Sequence, residues 1–94
     1  MPVAVLTLRL RLAGCASLKE KRSLIKPVLA RLHREFNLSL AELDSQDMHH
    51  EAVLGFAALS ADATQNTRLL QQAITFIQTH FPHLEVLEDH IELI

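Results

Sequence analysis

The sequence contains no Trp and no Tyr, and its 94 residues include only one Cys, two Gly and three Pro. A single Cys cannot form an internal disulfide, which excludes a disulfide-stapled scaffold and favours a reducing, cytoplasmic setting. No apolar run approaches the ~20 residues of a membrane span, and no signal-peptide pattern is present, so we expect no membrane association. With four Phe as the only aromatic residues, stacking of RNA bases on a sheet surface is also disfavoured.

The composition is otherwise that of a globular protein, with 49% hydrophobic and 21% charged residues, and we expect one domain over residues 1–94. The formal net charge of −2 is the sum of two halves of the chain that carry opposite charges. Residues 1–34 hold eight basic residues and one acid, for a charge of +7, whereas residues 35–94 hold one basic residue and ten acids, for −9. The two halves therefore present opposite charges to any partner.

Hydrophobic periodicity predicts six elements. Strict alternation indicates strands, apolar spacing of three and four residues indicates helices, and a Ser17/Glu20 capping box marks a helix start. Pro27 predicts a kink or a break in the first helix, and a change of parity predicts a bulge near Glu88 and Asp89 in the last strand. In order, the elements are a strand over 3–12, a helix from Leu18 to Asn37, strands over 38–43 and 51–60, a helix after Asp62 and a strand over 84–94.

This β-α-β-β-α-β order predicts an α+β, ferredoxin-like fold. Right-handed crossovers place both helices on one face of a four-stranded antiparallel sheet of order 4-1-3-2 and leave the other face open. Phe56 shares the parity of Leu54 and is expected in the core. An apolar patch on the open face is suited to self-association, which predicts a homodimer. The residues of this predicted dimer face are Val3, Val5, Val53, Ala57 and Leu59.

The densest basic feature lies on the first predicted helix. One interpretation is a surface that follows the phosphates of a nucleic acid, and the other is a solvated helix face with weak ion pairs to the acidic half. Arg9 and Arg11 are expected instead to pair across the sheet with acids of the last strand, Glu88, Asp89 and Glu92. The candidate contact residues are Lys19, Lys21, Arg22, Lys26 and Arg34.

A polar turn contains Glu42 and Asp47, which form a candidate polar site near His49 and His50. No HExxH, Gly-rich phosphate loop, GxSxG or paired-Cys motif occurs, so the sequence predicts no metal site, no cofactor and no catalytic residues. Cys15 precedes a helix but has no base or orienting acid in the sequence pattern, and we interpret it as a loop residue. An enzyme that uses the Glu42 and Asp47 turn is the least favoured alternative.

The segment Ser17-Leu18-Lys19-Glu20-Lys21-Arg22-Ser23, after a strand and a small-residue loop, resembles the YlxP-like family of small bacterial proteins, a domain of unknown function. The stretch from Phe36 to Asp44, followed by Gln46-Asp47 and Leu54-Gly55, resembles the same family. The resemblance implies a ferredoxin-like fold, homo-oligomers and genes that neighbour those for translation factors and ribosome maturation. Many relatives have Ala-His where this chain has Cys15-Ala16, so a role for that His does not carry over.

Two functional hypotheses follow. The first is a non-enzymatic binding module that contacts RNA or a ribosomal particle through the basic helix. The second is a dimeric structural or regulatory module that binds protein and no nucleic acid.

Overall fold

A computed structural model describes residues 1–43 and 49–94 and shows the predicted ferredoxin-like α+β fold. Its four strands form one antiparallel sheet of order β2-β3-β1-β4, which is the order 4-1-3-2 read from the opposite edge. β1 and β3 are central strands, and β2 and β4 are the edges. The elements are β1 (Val3–Leu12), α1 (Leu18–Glu35), β2 (Ser39–Glu42), β3 (Glu51–Leu59), α2 (Ala63–His80) and β4 (Leu84–Leu93).

The core lies between the sheet and the two helices. Every even-numbered residue from Ala4 to Leu12 in β1 is buried, and β3 contributes Leu54 and the largest core residue, Phe56. Each such Leu or Phe contributes about 1.5–3 kcal/mol when it is fully buried, which explains why one face of each strand is apolar. The helices complete this core with Ile25, Val28, Leu32, Leu70, Ala73 and Ile77.

The start of α1 confirms the predicted capping box. The Glu20 backbone N–H donates to Ser17 Oγ at 3.1 Å, and the Ala16 N–H donates to Glu20 Oε2 at 2.7 Å. The reciprocal bond therefore reaches one residue ahead of the cap rather than the cap itself. Gly14 has φ 76°, a left-handed conformation that favours glycine, and it turns the chain from β1 towards this cap.

Pro27 does not break α1, which continues from Leu18 to Glu35. Proline lacks the N–H that would donate to the Ser23 carbonyl. Both Ser23 and Pro27 are exposed, so water can satisfy that carbonyl at the surface. α1 ends with Phe36 as its C-cap, slightly before the predicted end at Asn37.

β4 contains the predicted bulge, although it lies just before the expected position. Arg9 is opposite Glu88, and the next residue, Leu10, is opposite Val86, so Leu87 is the additional residue. The bulge allows Leu84, Val86 and Ile91 to face the helices despite their change of parity. No helix in the described part of the chain is long and apolar enough to cross a membrane.

Candidate nucleic-acid interface

Several basic side chains are already neutralised by acids. Arg9 Nη1 lies 2.8 Å from Glu51 Oε1, and Arg9 Nε lies 3.3 Å from Glu88 Oε2, so Arg9 bridges β3 and β4. Arg11 pairs with Glu85 at 3.9 Å. Pairing between the first and last strands is thus confirmed with Glu88. The ion pairs of Arg9 and Arg11 do not involve Asp89 or Glu92, because the register places these residues opposite Leu8 and Val5.

A second group of basic residues makes no ion pair within residues 1–43 and 49–94. Lys19, Arg22 and Lys26 are exposed on α1 and lie within about 60° of one another around the helix, given 3.6 residues per turn. Arg34 is also exposed, but it lies about 120° around the helix from Arg22. We call the surface formed by Lys19, Arg22 and Lys26 the basic flank.

Lys21 does not belong to this flank, although the sequence placed it among the candidate contact residues. It is only 3% exposed, because its spacing from Ile25, Val28 and Leu32 puts it on the core side of α1. Its ammonium lies 3.4 Å from Glu42 Oε2 on β2. Lys21 therefore connects α1 to the edge of the sheet and cannot contact a macromolecule directly.

The basic flank borders a groove between α1 and β2. This groove has a volume of about 170 Å³ and is lined by Arg22, Ile25, Lys26, Leu29 and Glu42. Glu42 is on the same parity as Leu40 in β2, opposite buried Leu54 in β3, so its side chain points towards α1. The other member of the predicted polar site, Asp47, lies outside the described residues.

The predicted dimer face is assembled on the open side of the sheet. The register pairs Val3 with Leu59 and Val5 with Ala57, and Val53 follows on the same face of β3. Leu59 is 57% exposed, whereas the other four are half-buried. Sequence reasoning missed Leu43, which is 58% exposed and extends this apolar patch.

Gly55 explains the position of Leu43. A Cβ at Gly55 would lie within contact distance of the Leu43 side chain, so the absence of a side chain in the central strand makes room for the leucine. The Leu43 N–H also donates to the Val53 carbonyl at 2.7 Å. Gly55 is the signal that could have predicted this close approach.

Cys15 is a buried free thiol whose Sγ donates to the Ser17 carbonyl at 3.4 Å, as expected of a loop residue that packs at the start of α1. Within the described ranges, no three His, Cys, Asp or Glu residues come together as a metal site would require. His49 and His50 have their rings 5.7 Å apart at 84°, an edge-to-face contact.

A family model described as "Protein of unknown function (DUF503)" matches residues 3–91. The uncharacterized protein YlxP of Bacillus subtilis (strain 168) is 39% identical over 69 residues, which cover 73% of this chain and 74% of that protein. Among solved structures, the de novo designed protein Foldit4 matches with a TM-score of 0.55 and 17% identity, over 98% of this chain and 96% of the designed one.

A second solved structure, SnoaB, is a cofactor-independent oxygenase from Streptomyces nogalater. It matches with a TM-score of 0.54 and 15% identity, over 100% of this chain and 92% of its own. At such identities, both structures support the fold and carry no information about activity.

Proposed function

The chain belongs to the DUF503 family, and because that family is described only as being of unknown function, we propose a function from the surface of the chain itself. The protein is a single-domain, cytoplasmic binding module, and its basic flank contacts the phosphates of RNA, either free or within a ribosomal particle. No catalytic step is part of this proposal.

The observation that carries the proposal is the contrast between paired and unpaired cations. Arg9, Arg11 and Arg31 each have a carboxylate oxygen within 4 Å, whereas Lys19, Arg22 and Lys26 have none among the described residues. Three exposed cations on one side of one helix form a local positive field that attracts a polyanion. Each phosphate they neutralise releases condensed counterions, which favours binding at low salt.

Fluorescence anisotropy with single-stranded RNA between 50 and 200 mM salt tests the proposal. Neutralisation of three phosphates gives a slope of log K against log salt of about −2. The triple variant Lys19→Glu, Arg22→Glu, Lys26→Glu is expected to abolish binding. A control triple variant on the exposed side of α2, Gln65→Glu, Arg68→Glu, Gln72→Glu, is expected to retain it. Salt-independent binding, or no binding to any RNA, would contradict the proposal.

A second candidate function is supported by the apolar patch on the open face. Leu59 and Leu43 expose more than half of their surface beside three half-buried valines, Val3, Val5 and Val53, which favours coverage by the same patch of a second copy. In this case the protein is a dimeric structural or regulatory module that binds no RNA. The triple charge reversal on α1 then leaves the dimer intact, and RNA binding is absent from all variants.

A further inference from the structure

The open face of the sheet changes from apolar to charged along its two central strands. The register pairs the residues of β1 and β3 on this face one to one, and we call each such pair a row. In order along the strands, the rows are Val3 with Leu59, Val5 with Ala57, Thr7 with Gly55, Arg9 with Val53, and Arg11 with Glu51. The face therefore has an apolar end and a charged end.

The open face also has a projection and a depression. Leu43 is 58% exposed, and its side chain lies over Gly55 on the β2 side of the face. A depression of about 280 Å³ lies mainly on the β1 and β4 side. It is lined by Thr7, Arg9, Val53, Glu88 and His90. The projection and the depression thus lie on opposite sides of the line between β1 and β3.

We propose that two copies of the chain pack open face to open face about a two-fold axis that runs parallel to the strands, between β1 and β3. The inference rests on the self-association proposed above for this face, and it adds the arrangement of the two copies. An axis in this direction keeps every row at its own level and exchanges β1 with β3 and β2 with β4. The interface is isologous, so each contact occurs twice.

The apolar rows cover one another under this axis. Leu59 faces Val3 of the second copy, and Ala57 faces Val5 of the second copy. Their removal from water together favours association. An axis across the strands, which is the other way to align the strands of two packed sheets, would place Leu59 against Glu51 and bury a charge against an apolar side chain.

The charged ends of the two faces are complementary under the same axis. Glu51 faces Arg11 of the second copy, and both side chains are long enough to meet across the ~10 Å between packed sheets. Within its own chain, Arg11 contacts Glu85 through Nε at 3.9 Å. Glu51 contacts Arg9 through Oε1 at 2.8 Å. A guanidinium has five N–H donors and a carboxylate has two oxygens, so both groups keep capacity for a partner in the second copy.

The axis also brings the projection of one copy to the depression of the other. The Leu43 N–H donates to the Val53 carbonyl, which places Leu43 at the level of Arg9 and Glu88. Exchange of β2 with β4 therefore sets Leu43 opposite Glu88 of the second copy, where the depression lies. Arg9 in this depression is already paired with Glu51 and Glu88, so the leucine covers no unpaired charge.

Exchange of charges tests the arrangement on the intact chain. Arg11→Glu and Glu51→Arg each place like charges in both contacts between positions 11 and 51. Each variant is expected to raise the dissociation constant of the dimer about tenfold at low salt. An equimolar mixture of the two is expected to recover the original affinity, because a dimer with one copy of each has opposite charges in both contacts. Light scattering over a dilution series measures the dissociation constants.

Glu85→Arg is the matched control, since Glu85 also contacts Arg11 within the chain but lies on β4 and does not face Arg11 of the second copy. It is expected to dimerise like the unmodified protein. Circular dichroism checks that each variant keeps the native fold.

A second measurement does not depend on charge. In a Cys15→Ser background, a mixture of Leu43→Cys and Glu88→Cys is expected to form a disulfide-linked dimer on oxidation. Neither variant alone is expected to do so, and a mixture of Leu43→Cys with Leu93→Cys, on the helix side of the sheet, is the control.

The outcomes separate the arrangement from self-association itself. A dimer that keeps its affinity in both charge variants, or that links no Leu43→Cys to Glu88→Cys, would overturn the arrangement and leave dimerisation standing. A single-chain mass for the unmodified protein at all concentrations would overturn both.

Discussion

The position of Lys21 on α1 determines its structural role more than its charge does. Its aliphatic stem occupies a core position of α1, and only its ammonium reaches the carboxylate of Glu42. A buried charge is costly unless it is paired, so the two residues depend on one another. The pair also joins α1 to β2 beside the groove that Glu42 lines.

We predict that Lys21→Met lowers the free energy of unfolding by about 1–3 kcal/mol, less than for a fully buried pair because Glu42 is partly exposed. The control Lys26→Met, on the exposed flank, is expected to change it by less than about 0.5 kcal/mol. The double variant Lys21→Met, Glu42→Leu is expected to recover most of the loss, because no uncompensated charge remains. Urea denaturation measures all three, and equal effects of Lys21→Met and Lys26→Met would refute the prediction.

In the described part of the chain, Asn66 is the other buried polar residue, with 2% exposure. Its Oδ1 accepts from Ser60 Oγ at 2.6 Å, and its Nδ2 donates to the Pro2 carbonyl at 3.1 Å. These bonds tie the residue before β1 to the first turn of α2. The Ser60 hydroxyl also bonds to the backbone of Asp62, so the Pro2 carbonyl is the group that relies on Asn66 for its partner.

Asn66→Ala is expected to reduce the free energy of unfolding by about 1–3 kcal/mol, since it leaves the Pro2 carbonyl without its donor and opens a small cavity. Gln72→Ala, on the exposed side of α2, serves as the control and is expected to have little effect. Thermal and urea unfolding monitored by circular dichroism provide the comparison. Equal stability of the two variants would show that the network contributes nothing.

At the scale of elements, the sequence predicts most of the fold because β1, β3 and both helices each have one buried face. The alternation in β1, the caps at Ser17 and Asp62, and the parity change in β4 are local patterns with one structural solution. The ion-pair partners of charged residues could not be predicted from such local patterns. Arg11 pairs with Glu85 only because the bulge fixes the register of β4, and this register depends on packing across the whole sheet.

The residues of the basic flank could also be predicted from local sequence patterns. Lys19, Arg22 and Lys26 follow from helical spacing, and the same spacing would have assigned Lys21 to the core had it been applied to a charged residue. The groove could not be predicted, because it needs the distance between α1 and β2. No periodicity in either element encodes that distance.

The prediction for the secondary-structure elements concerns Pro27 within α1. Pro27→Ala is expected to raise the free energy of unfolding by about 1–3 kcal/mol, because it restores an amide proton that can donate to the Ser23 carbonyl within α1. Pro82→Ala, between α2 and β4, is the control and is expected to give no such gain. Chemical denaturation checks both, and a neutral or destabilising Pro27→Ala would contradict this account.

Across the whole molecule, the division of charge between the two halves of the sequence is partly cancelled by folding. Arg9 and Arg11 pair with acids of β3 and β4, and Lys21 pairs with Glu42 of β2. The basic flank of α1 therefore holds the largest share of unpaired positive charge among the described residues. The open face is apolar on β2, β3 and the first half of β1, and charged along β4. The unpaired cations of α1 and the apolar patch of the open face therefore lie on different sides of the fold, so the proposed RNA contact and the proposed dimer contact would not compete for the same surface.

If the apolar patch binds a second copy of the chain, light scattering of the protein is expected to give a mass near twice the 10.6 kDa of one chain. Leu59→Lys places a charge within the apolar patch and is expected to yield the mass of one chain. Leu93→Lys is a matched control, since Leu93 is 63% exposed and lies opposite Ala4 on the helix side of the sheet. A single-chain mass for the unmodified protein would exclude the dimer.

The bulge at Leu87 makes β4 sensitive to changes in length rather than to changes in residue type. Loss of Leu87 would leave Val86 and Glu88 as direct neighbours and still place Ile91 towards the helices. Loss of a residue between Asp89 and Ile91 would instead turn the end of the strand over, because strand faces alternate with every residue. In the course of evolution, this edge of the sheet can thus accept a one-codon deletion at the bulge, whereas a deletion three codons further on exchanges its apolar and acidic sides.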